Sequence, residues 1–455
     1  MFKQCDRDTE YLFPPSVQDW LPEGHLARFV VEIVEHLNLE RLKNNYAGRG
    51  SEAYNPEMLL ALLFYGYATG VFSSRQLERS TYDSVAFRYV AANSHPDHDT
   101  IATFRRRFLP VLKELFVQIL MIASEAGVLK LGAVSLDGTK MKANASKHKA
   151  LSYGHACKIE NKLKMEVAEL MKKAEAADKA DIPDGMSIPE ELARREARLK
   201  VIADAKAEIE RRATERHAVE QATYEKKQAE RAVKQKQSGK KPRGKGPKPP
   251  EGGPTAKDQI NLTDEESRIM PASGGGFKQA YNAQAAVDTE TMLIVATNVT
   301  QQSNDKQQIK PALESLTELP EGLGKVTAII ADSGYYSEAN VQECESKGIV
   351  PYIAVDRQSH NQPLWDRFVE PPPLPVNADA VTRMKHRLKT AAGKAIYAIR
   401  KSTVEPAFGV IKAAIGFDQF LLRGFTAVNG EWDLICIAWN IKRLHTVRNS
   451  QVYAR

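Results

Sequence analysis

The sequence predicts a mixed-sheet α/β domain, preceded by an all-helical segment and interrupted by a long charged helical insertion. Three observations carry this. Apolar residues recur at helical spacing up to about residue 127. Short apolar runs of strand character appear at 131–137 and return at 277–301, 325–332 and 350–355, with helical segments between the later ones. Ala-rich, charged helix formers fill the stretch from 155 to 257 that separates the first such run from the rest.

The first segment, 1–127, reads as a series of short helices. Leu26, Phe29, Val30, Ile33 and Leu37 lie on one helical face after Pro22-Glu23-Gly24. Asn55-Pro56 is a cap followed by proline at the first helical position, and it introduces MLLALLFYGYATG, apolar almost all round and so a buried helix. Ser73 and Gln76 fit a capping box for SRQLERSTYD. One longer helix is expected from Asp99–Thr100, with Ile101, Phe104, Phe108, Leu112, Leu115, Ile119 and Ile122 on one face and Gly127 at its end. Helices of this kind build DNA-binding domains of the helix-turn-helix type. Arg75, Arg79, Arg105, Arg106 and Arg107 fall on predicted exposed faces, where they either meet phosphates or form a solvated basic surface.

From Leu131 the texture changes: LGAVSLD has the apolar character of a buried strand. The insertion follows, two helix-forming stretches separated by Ile182-Pro183-Asp184-Gly185, read as a helical hairpin in which Leu192, Leu199, Ile202 and Ile209 give a partial heptad seam. Its tail is basic and of low complexity: ten Lys or Arg against one Glu lie between Lys226 and Lys248. GKKPRGKGPKPPEGGP resists regular structure and serves as a DNA-backbone contact or a solvated linker, with the charge favouring DNA. After it come FKQAYNAQAAVD and MLIVATNVTQ as a hairpin across Thr289-Glu290-Thr291, then helix, strand, helix and strand to VPYIAV, and helices from Ala378 to Leu444. This order matches a ribonuclease-H-like catalytic domain, split as 128–154 and 258–455 around the 155–257 insertion.

A chain of 455 residues implies two or three domains. Its formal net charge of +7 suits a polyanionic partner. Cys5, Cys157, Cys344 and Cys436 are scattered and read as reduced thiols. The N-terminus lacks the apolar core of a signal peptide and no apolar run is long enough for a bilayer, so the expected location is cytoplasmic.

Two aspartates stand out. Asp137 closes VSLD and Asp332 closes AIIAD, each before a glycine-containing turn, a pattern that Asp-Gly and Asp-Ser-Gly also supply as ordinary turn starters. Two carboxylates on adjacent strand ends share hard divalent cations through oxygen. Glu405, in KSTVEPAFGVIK, has two readings. Ser402-x-x-Glu405 is a capping box; alternatively a helix runs through, kinked at Pro406, and Tyr397, Lys401, Glu405 and Lys412 share one face. His95 and His98 have H-x-x-H spacing but precede a helix start among turn residues. Tyr335-Tyr336 reads as a packed aromatic turn, and Trp432 and Trp439 as core.

With these motifs in place the sequence resembles the DDE transposases of bacterial insertion sequences. The resemblance rests on YNPEMLLALLFYGYATGVFSSRQLE, HPDHDTIATFRRRF, VSLDGTKMKANAS, DEESRIM with AYNAQAAVD, ADSGYYSEAN, and RKSTVEPAFGVIK with LLRGF. It implies Asp137, Asp332 and Glu405 as catalytic acids and metal ligands, with two Mg2+ ions per site for which Mn2+ substitutes. Lys412 matches a lysine of the family's helix signature. Upstream, Lys401 takes the expected arginine spacing, Arg400 stands beside it, and Tyr397 is displaced by one. The implied partner is double-stranded DNA, both element ends and target, engaged by a homodimer or larger assembly in association with the nucleoid. Two other functions stay open at this point: a ribonuclease-H-like nuclease that does not join strands, and an inactive DNA-binding derivative.

Overall fold

The computed structural model describes residues 16–44, 53–177, 188–238, 244, 246–272, 274–355, 370–375 and 377–453. The Ile182–Gly185 break and most of the Lys/Arg-rich run at 239–245 lie outside the described residues. Two compact units are formed, one from Met1–Asn144 with Arg268–Arg455 and the other from Ala145–Ser267.

In the first unit the helices before the sheet are α1 (Val17–Trp20), α2 (Leu26–Glu35), α3 (Glu40–Lys43), α4 (Pro56–Thr69), α5 (Ser74–Asp83), α6 (Val85–Val90), α7 (His98–Phe108) and α8 (Leu112–Glu125). Helix α4 is buried along nearly its whole length, as its unbroken apolar sequence requires. Asn55 caps it through the Glu57 amide, with Pro56 at the first position. Two local expectations are corrected. Ser73 makes no side-chain cap bond to α5. The long helix from residue 99 is divided: α7 ends at Phe108, and a 3-10 turn at Leu109–Val111 precedes α8. Pro110 lacks the amide hydrogen that a continuous helix needs.

The sheet strands of this unit are β1 (Leu131–Lys142), β4 (Arg268–Pro271), β5 (Phe277–Asp288), β6 (Ile294–Thr300), β7 (Gly324–Ala331) and β8 (Val350–Ile353). Helix α11 (Ile309–Thr317) precedes β7 and α12 (Glu338–Ser346) precedes β8. Strand β1 is central, antiparallel to β5 and parallel to β7, which is parallel to β8. The far edge of β5 is shared by β4 and β6, both antiparallel. With β4 as an added edge strand, β6 and β5 paired antiparallel beside the parallel set β1, β7 and β8 make the ribonuclease-H-like arrangement. The chain then continues through α13 (Ala380–Lys389), α14 (Ala391–Ala398), α15 (Val404–Gly409) and the long α16 (Phe425–Tyr453).

Helix α16 joins sheet and N-terminal helices into one core. Trp432, fully buried, donates from Nε1 to the Gln284 carbonyl of β5 at 2.9 Å. On β6, Asn440 bonds both the amide and the carbonyl of Ile294, and Asn429 accepts from the Val299 amide. Side chains thus satisfy backbone groups that an open strand edge would leave to water. Facing the N-terminal helices, Glu431 accepts the Tyr67 hydroxyl of α4 at 2.9 Å.

The second unit contains β2 (Ala150–Ser152), α9 (Tyr153–Ala177), α10 (Ile188–Ser238) and β3 (Gln259–Asn261), with β2 and β3 paired antiparallel. Lys206 reaches Glu160 at 2.6 Å while Arg195 reaches Glu166 at 2.9 Å, so the two helices run antiparallel. Leu163, Ile202, Ala205, Ile209, Leu151 and Ile260 form their small core. The short strands β2, β3 and β4 carried no signal strong enough to be anticipated.

Candidate active site

Asp137 does not end a strand. The parallel ladder between β1 and β7 stops at Leu136↔Ala331, whereas the antiparallel ladder to β5 continues from Asp137↔Ala285 to Lys142↔Ala280. Asp137 therefore sits in mid-strand, at the point where β7 turns away, and Asp332 is the next residue of the departing chain. The side chains of adjacent strands are brought together by register alone. Asp332 caps a 3-10 turn, its Oδ1 accepting the Gly334 amide at 2.8 Å.

Gly138 is likewise no turn residue. A Cβ there would lie 2.2 Å from Gln284 Nε2, 2.7 Å from Asp305 Oδ1 and 3.0 Å from Asn282 Oδ1. Glycine is required because three polar side chains close on the backbone beside Asp137.

Neither sequence reading of the Glu405 region holds. Ser402 bonds back to the Ile399 carbonyl and leaves α15 uncapped, so there is no capping box. Nor is there one continuous helix. Helix α14 ends at Ala398, a 3-10 stretch covers Ile399–Ser402, and Thr403 adopts φ −119° and ψ −83° before α15. The tighter winding of the 3-10 stretch shifts the helical phase. Arg400, not Lys401, consequently turns inward. Its Nη1 donates to Asp137 Oδ2 at 3.0 Å and its Nη2 lies 2.8 Å from Glu405 Oε1. Lys401 is exposed. Tyr397 is half-buried next to Arg400, and burial raises its phenol above the ordinary value. Beyond Glu405 a π-helical segment, Val410–Ala414, carries Lys412, whose ammonium bonds Thr139 Oγ1 on β1.

The electrostatics follow from this crowding. Burial pushes the Asp137 carboxyl up to about 6; Asp332 and Asp305 add to the push, against the Gly138 amide and Arg400. Burial also lowers the Lys412 ammonium to about 8, helped by Lys278 and Lys140. As the side chains stand, the guanidinium of Arg400 takes the place between Asp137 and Glu405. Among the described residues no three His, Cys, Asp or Glu side chains are grouped to hold a metal ion.

Three residues missed in the sequence complete this edge. Asp305, in the loop after β6, accepts at Oδ1 from Asn282 Nδ2 and Gln284 Nε2, both at 2.7 Å. Gln284 in turn accepts the hydroxyl of buried Tyr335. A signal for the two amides was present: polar residues alternate at 282 and 284 within the stretch 280–287, which is otherwise Ala, Val and Tyr. Asp305 had none, standing in a polar loop.

Of the N-terminal arginines, Arg75, Arg79, Arg106 and Arg107 are exposed. Arg105 is corrected: only 8% exposed, it donates to the Tyr67 hydroxyl at 3.1 Å and the Phe72 carbonyl at 2.9 Å. It belongs to a buried polar cluster and presents nothing to DNA. His95 contacts Thr81 and stacks on Tyr82, and His98 pairs with Glu78.

The strand order defines a ribonuclease-H-like domain. Residues 245–441 match the family model described as transposase DDE domain, and residues 15–107 match that of the transposase domain DUF772. The chain belongs to the DDE-type transposases of insertion sequences. Asp332, Glu405 and Lys412 lie within the matched segments, and Asp137 lies between them. Comparison with curated proteins gave no match, and neither did comparison with solved structures.

Proposed function

We propose that this transposase binds the ends of its element and carries out DNA cleavage and strand transfer at Asp137, Asp332 and Glu405. The observation behind the proposal is the meeting of two aspartates from adjacent strands with a glutamate 268 residues beyond the first, tied to it by one arginine.

The donor set suits a hard divalent cation. All the candidate ligands are carboxylate oxygens, as Mg2+ or Mn2+ prefers. Asp137 is destabilised as an anion by burial and by its acidic neighbours, so the site favours added positive charge beyond that of Arg400. Asp137 and Asp332 would hold the ions, two in the full site, with Glu405 completing the second position. Bound there, divalent ions supply Lewis acidity toward a phosphodiester and lower the pKa of the attacking water or 3′-hydroxyl.

The chain's own cations act on DNA. Arg400 exchanges its carboxylate partners for phosphate oxygens, for which its planar fork is suited. Tyr397 holds the guanidinium side of the site. Lys412 takes a phosphate along β1, and exposed Lys401 contributes only backbone attraction. No covalent protein–DNA intermediate is required. The helices of 1–127, with Arg106 and Arg107 exposed on α7, contact DNA outside the site, and paired ends call for at least two protomers.

The test is a Mg2+-dependent cleavage and strand-transfer assay on the DNA flanking the coding sequence, comparing wild type with Glu405→Ala, Asp137→Ala and Asp332→Ala. Cleavage and joining by wild type alone are expected, with DNA binding retained by all four proteins. Substantial cleavage by any variant would sink the assignment, and cleavage by the wild type without joining would identify a nuclease instead.

A further inference from the structure

Beyond Asp137 the outer edge of β1 stands open. The ladder to β7 stops at Leu136, and the chain at 418–420 joins only at Lys142, whose amide donates to the Asp418 carbonyl and whose carbonyl accepts the Phe420 amide. Among the described residues no strand pairs with that edge at 138–141. Backbone groups point to alternate sides along a strand, so the carbonyl of Lys140 faces outward like that of Lys142. The Lys278 ammonium reaches it at 2.8 Å.

Lys278 stands on β5, and its side chain therefore crosses β1 to arrive at the opening. Register puts it on the face of Lys140 and Lys142, opposite that of Asp137. Lys412 comes from the Asp137 face, where its ammonium bonds the Thr139 hydroxyl. Two ammoniums thus flank the open edge, one over each face of the sheet. Lys140 is about 10 Å along β1 from Asp137, three residues at about 3.4 Å each.

Charge in the opening is one-sided. Lys140, Lys142, Lys278 and Lys412 gather about a single carboxylate, Asp418, and Lys142 already pairs with it. Lys278 and Lys412 each spend one of three donors on a neutral group, a carbonyl and a hydroxyl. Both are half-buried, a costly state for an ammonium without a counter-charge. Burial lowers the Lys278 ammonium below its ordinary value, and Lys142 and Lys140 lower it further, against Asp418. Lys412 is lowered by burial and then by Lys278. An anion in the opening relieves both.

We propose that Lys278 and Lys412 together grip a backbone phosphate of the DNA strand that runs from Asp137 along the open edge of β1. The inference rests on the reading of Asp137 as part of the cutting site. Lys412 had been marked by resemblance, whereas Lys278, in FKQAYNAQAAVD, carried no signal in the sequence. A DNA strand advances about 3.4 Å per nucleotide along its axis, so the gripped phosphate lies within about three nucleotides of the one at Asp137.

The experiment measures binding of the full-length protein to a duplex carrying one element end, without divalent metal, by fluorescence anisotropy across a salt series. A single uncharged methylphosphonate is then placed at each linkage within about four nucleotides of the cut. Lys278→Met keeps the stem and removes the charge. Its affinity should fall, with a deficit about 3-fold larger at 50 mM than at 200 mM salt, the share of one phosphate. Its unfolding midpoint should be unchanged or higher. One methylphosphonate position that weakens the wild type should leave Lys278→Met unaffected, and Lys278→Arg should recover that sensitivity. A Lys278→Met protein with wild-type affinity and salt slope overturns the proposal. So does a loss uniform over all linkages with a lower midpoint, which marks a structural lysine. Inorganic phosphate raising the midpoint of the wild type but not of Lys278→Met, with no linkage losing its effect, marks a free-anion site and also overturns it. The catalytic reading fails separately, in a wild type that binds this duplex yet with Mg2+ cuts it no faster than Glu405→Ala.

Discussion

Replacing Arg105 with Met tests whether the three consecutive arginines of α7 act as one basic surface. Arg105 Nη1 donates to the Tyr67 hydroxyl and the Phe72 carbonyl, and Tyr67 passes its own hydrogen to Glu431 Oε1. Glu431 Oε2 accepts the amides of Leu421 and Leu422 at 2.9 and 3.0 Å. Met refills the stem volume but leaves the hydroxyl and carbonyl without their donor and Glu431 without its nearest positive charge. Breaking a buried charged arrangement from one side costs about 3–5 kcal/mol. For a unit of this size that corresponds to a fall of roughly 4–7 °C in Tm. Part of the cost is relieved by protonation, because burial already holds the Glu431 carboxyl above its ordinary value. In the window between its unfolded and folded values the native state keeps a proton that the unfolded chain lacks, so stability falls as pH rises. Removing Arg105 widens the window upward. The deficit of Arg105→Met should therefore be larger at pH 8 than at pH 5, measured by thermal unfolding of the full chain. Arg106→Met and Arg107→Met should melt with the wild type and weaken DNA binding instead. An Arg105→Met protein that melts with the wild type and loses DNA affinity would refute the reasoning.

Further outcomes follow from the site. Arg400→Met should abolish cleavage, whereas Lys401→Met should retain it; equal loss in both would mean that the helical phase around Thr403 is misassigned. Divalent binding needs the Asp137 carboxylate, whose value is about 6, so Mn2+ affinity should drop about tenfold per pH unit below that point. Calorimetry at pH 7, 5.5 and 4.5 checks this, and a flat profile counts against Asp137 as ligand. The same raised value makes the metal-free site cost stability as pH rises from about 4 to about 6, since only the folded state holds the proton there. Lys412, lowered to about 8, should regain its proton on meeting a phosphate. Binding of DNA at pH 8.5 should then take up a proton that Lys412→Met does not, visible as a buffer-dependent binding enthalpy.

The sequence by itself determined the kinds and order of the main elements. Helical periodicity around Phe29 and Ile33, the all-apolar stretch of α4, and the strand runs ending near Asp137 and Asp332 are local properties, because each element must bury a face of its own period. Asp137 and Asp332 stood out for the same reason, each standing where an apolar run stops. What only the tertiary structure decided depends on neighbours distant in the chain. Arg400 replaces Lys401 because a 3-10 stretch and Thr403 reset the helical phase. Arg105 leaves the surface because Tyr67 and Phe72 offer it partners, in a cluster that Glu431, more than three hundred residues later, completes. Gly138 is glycine not for a turn but for the approach of Gln284 and Asp305. Asp305 itself has no periodic context, and its place beside Asp332 is set by the amides of β5, which no local pattern along its own loop encodes.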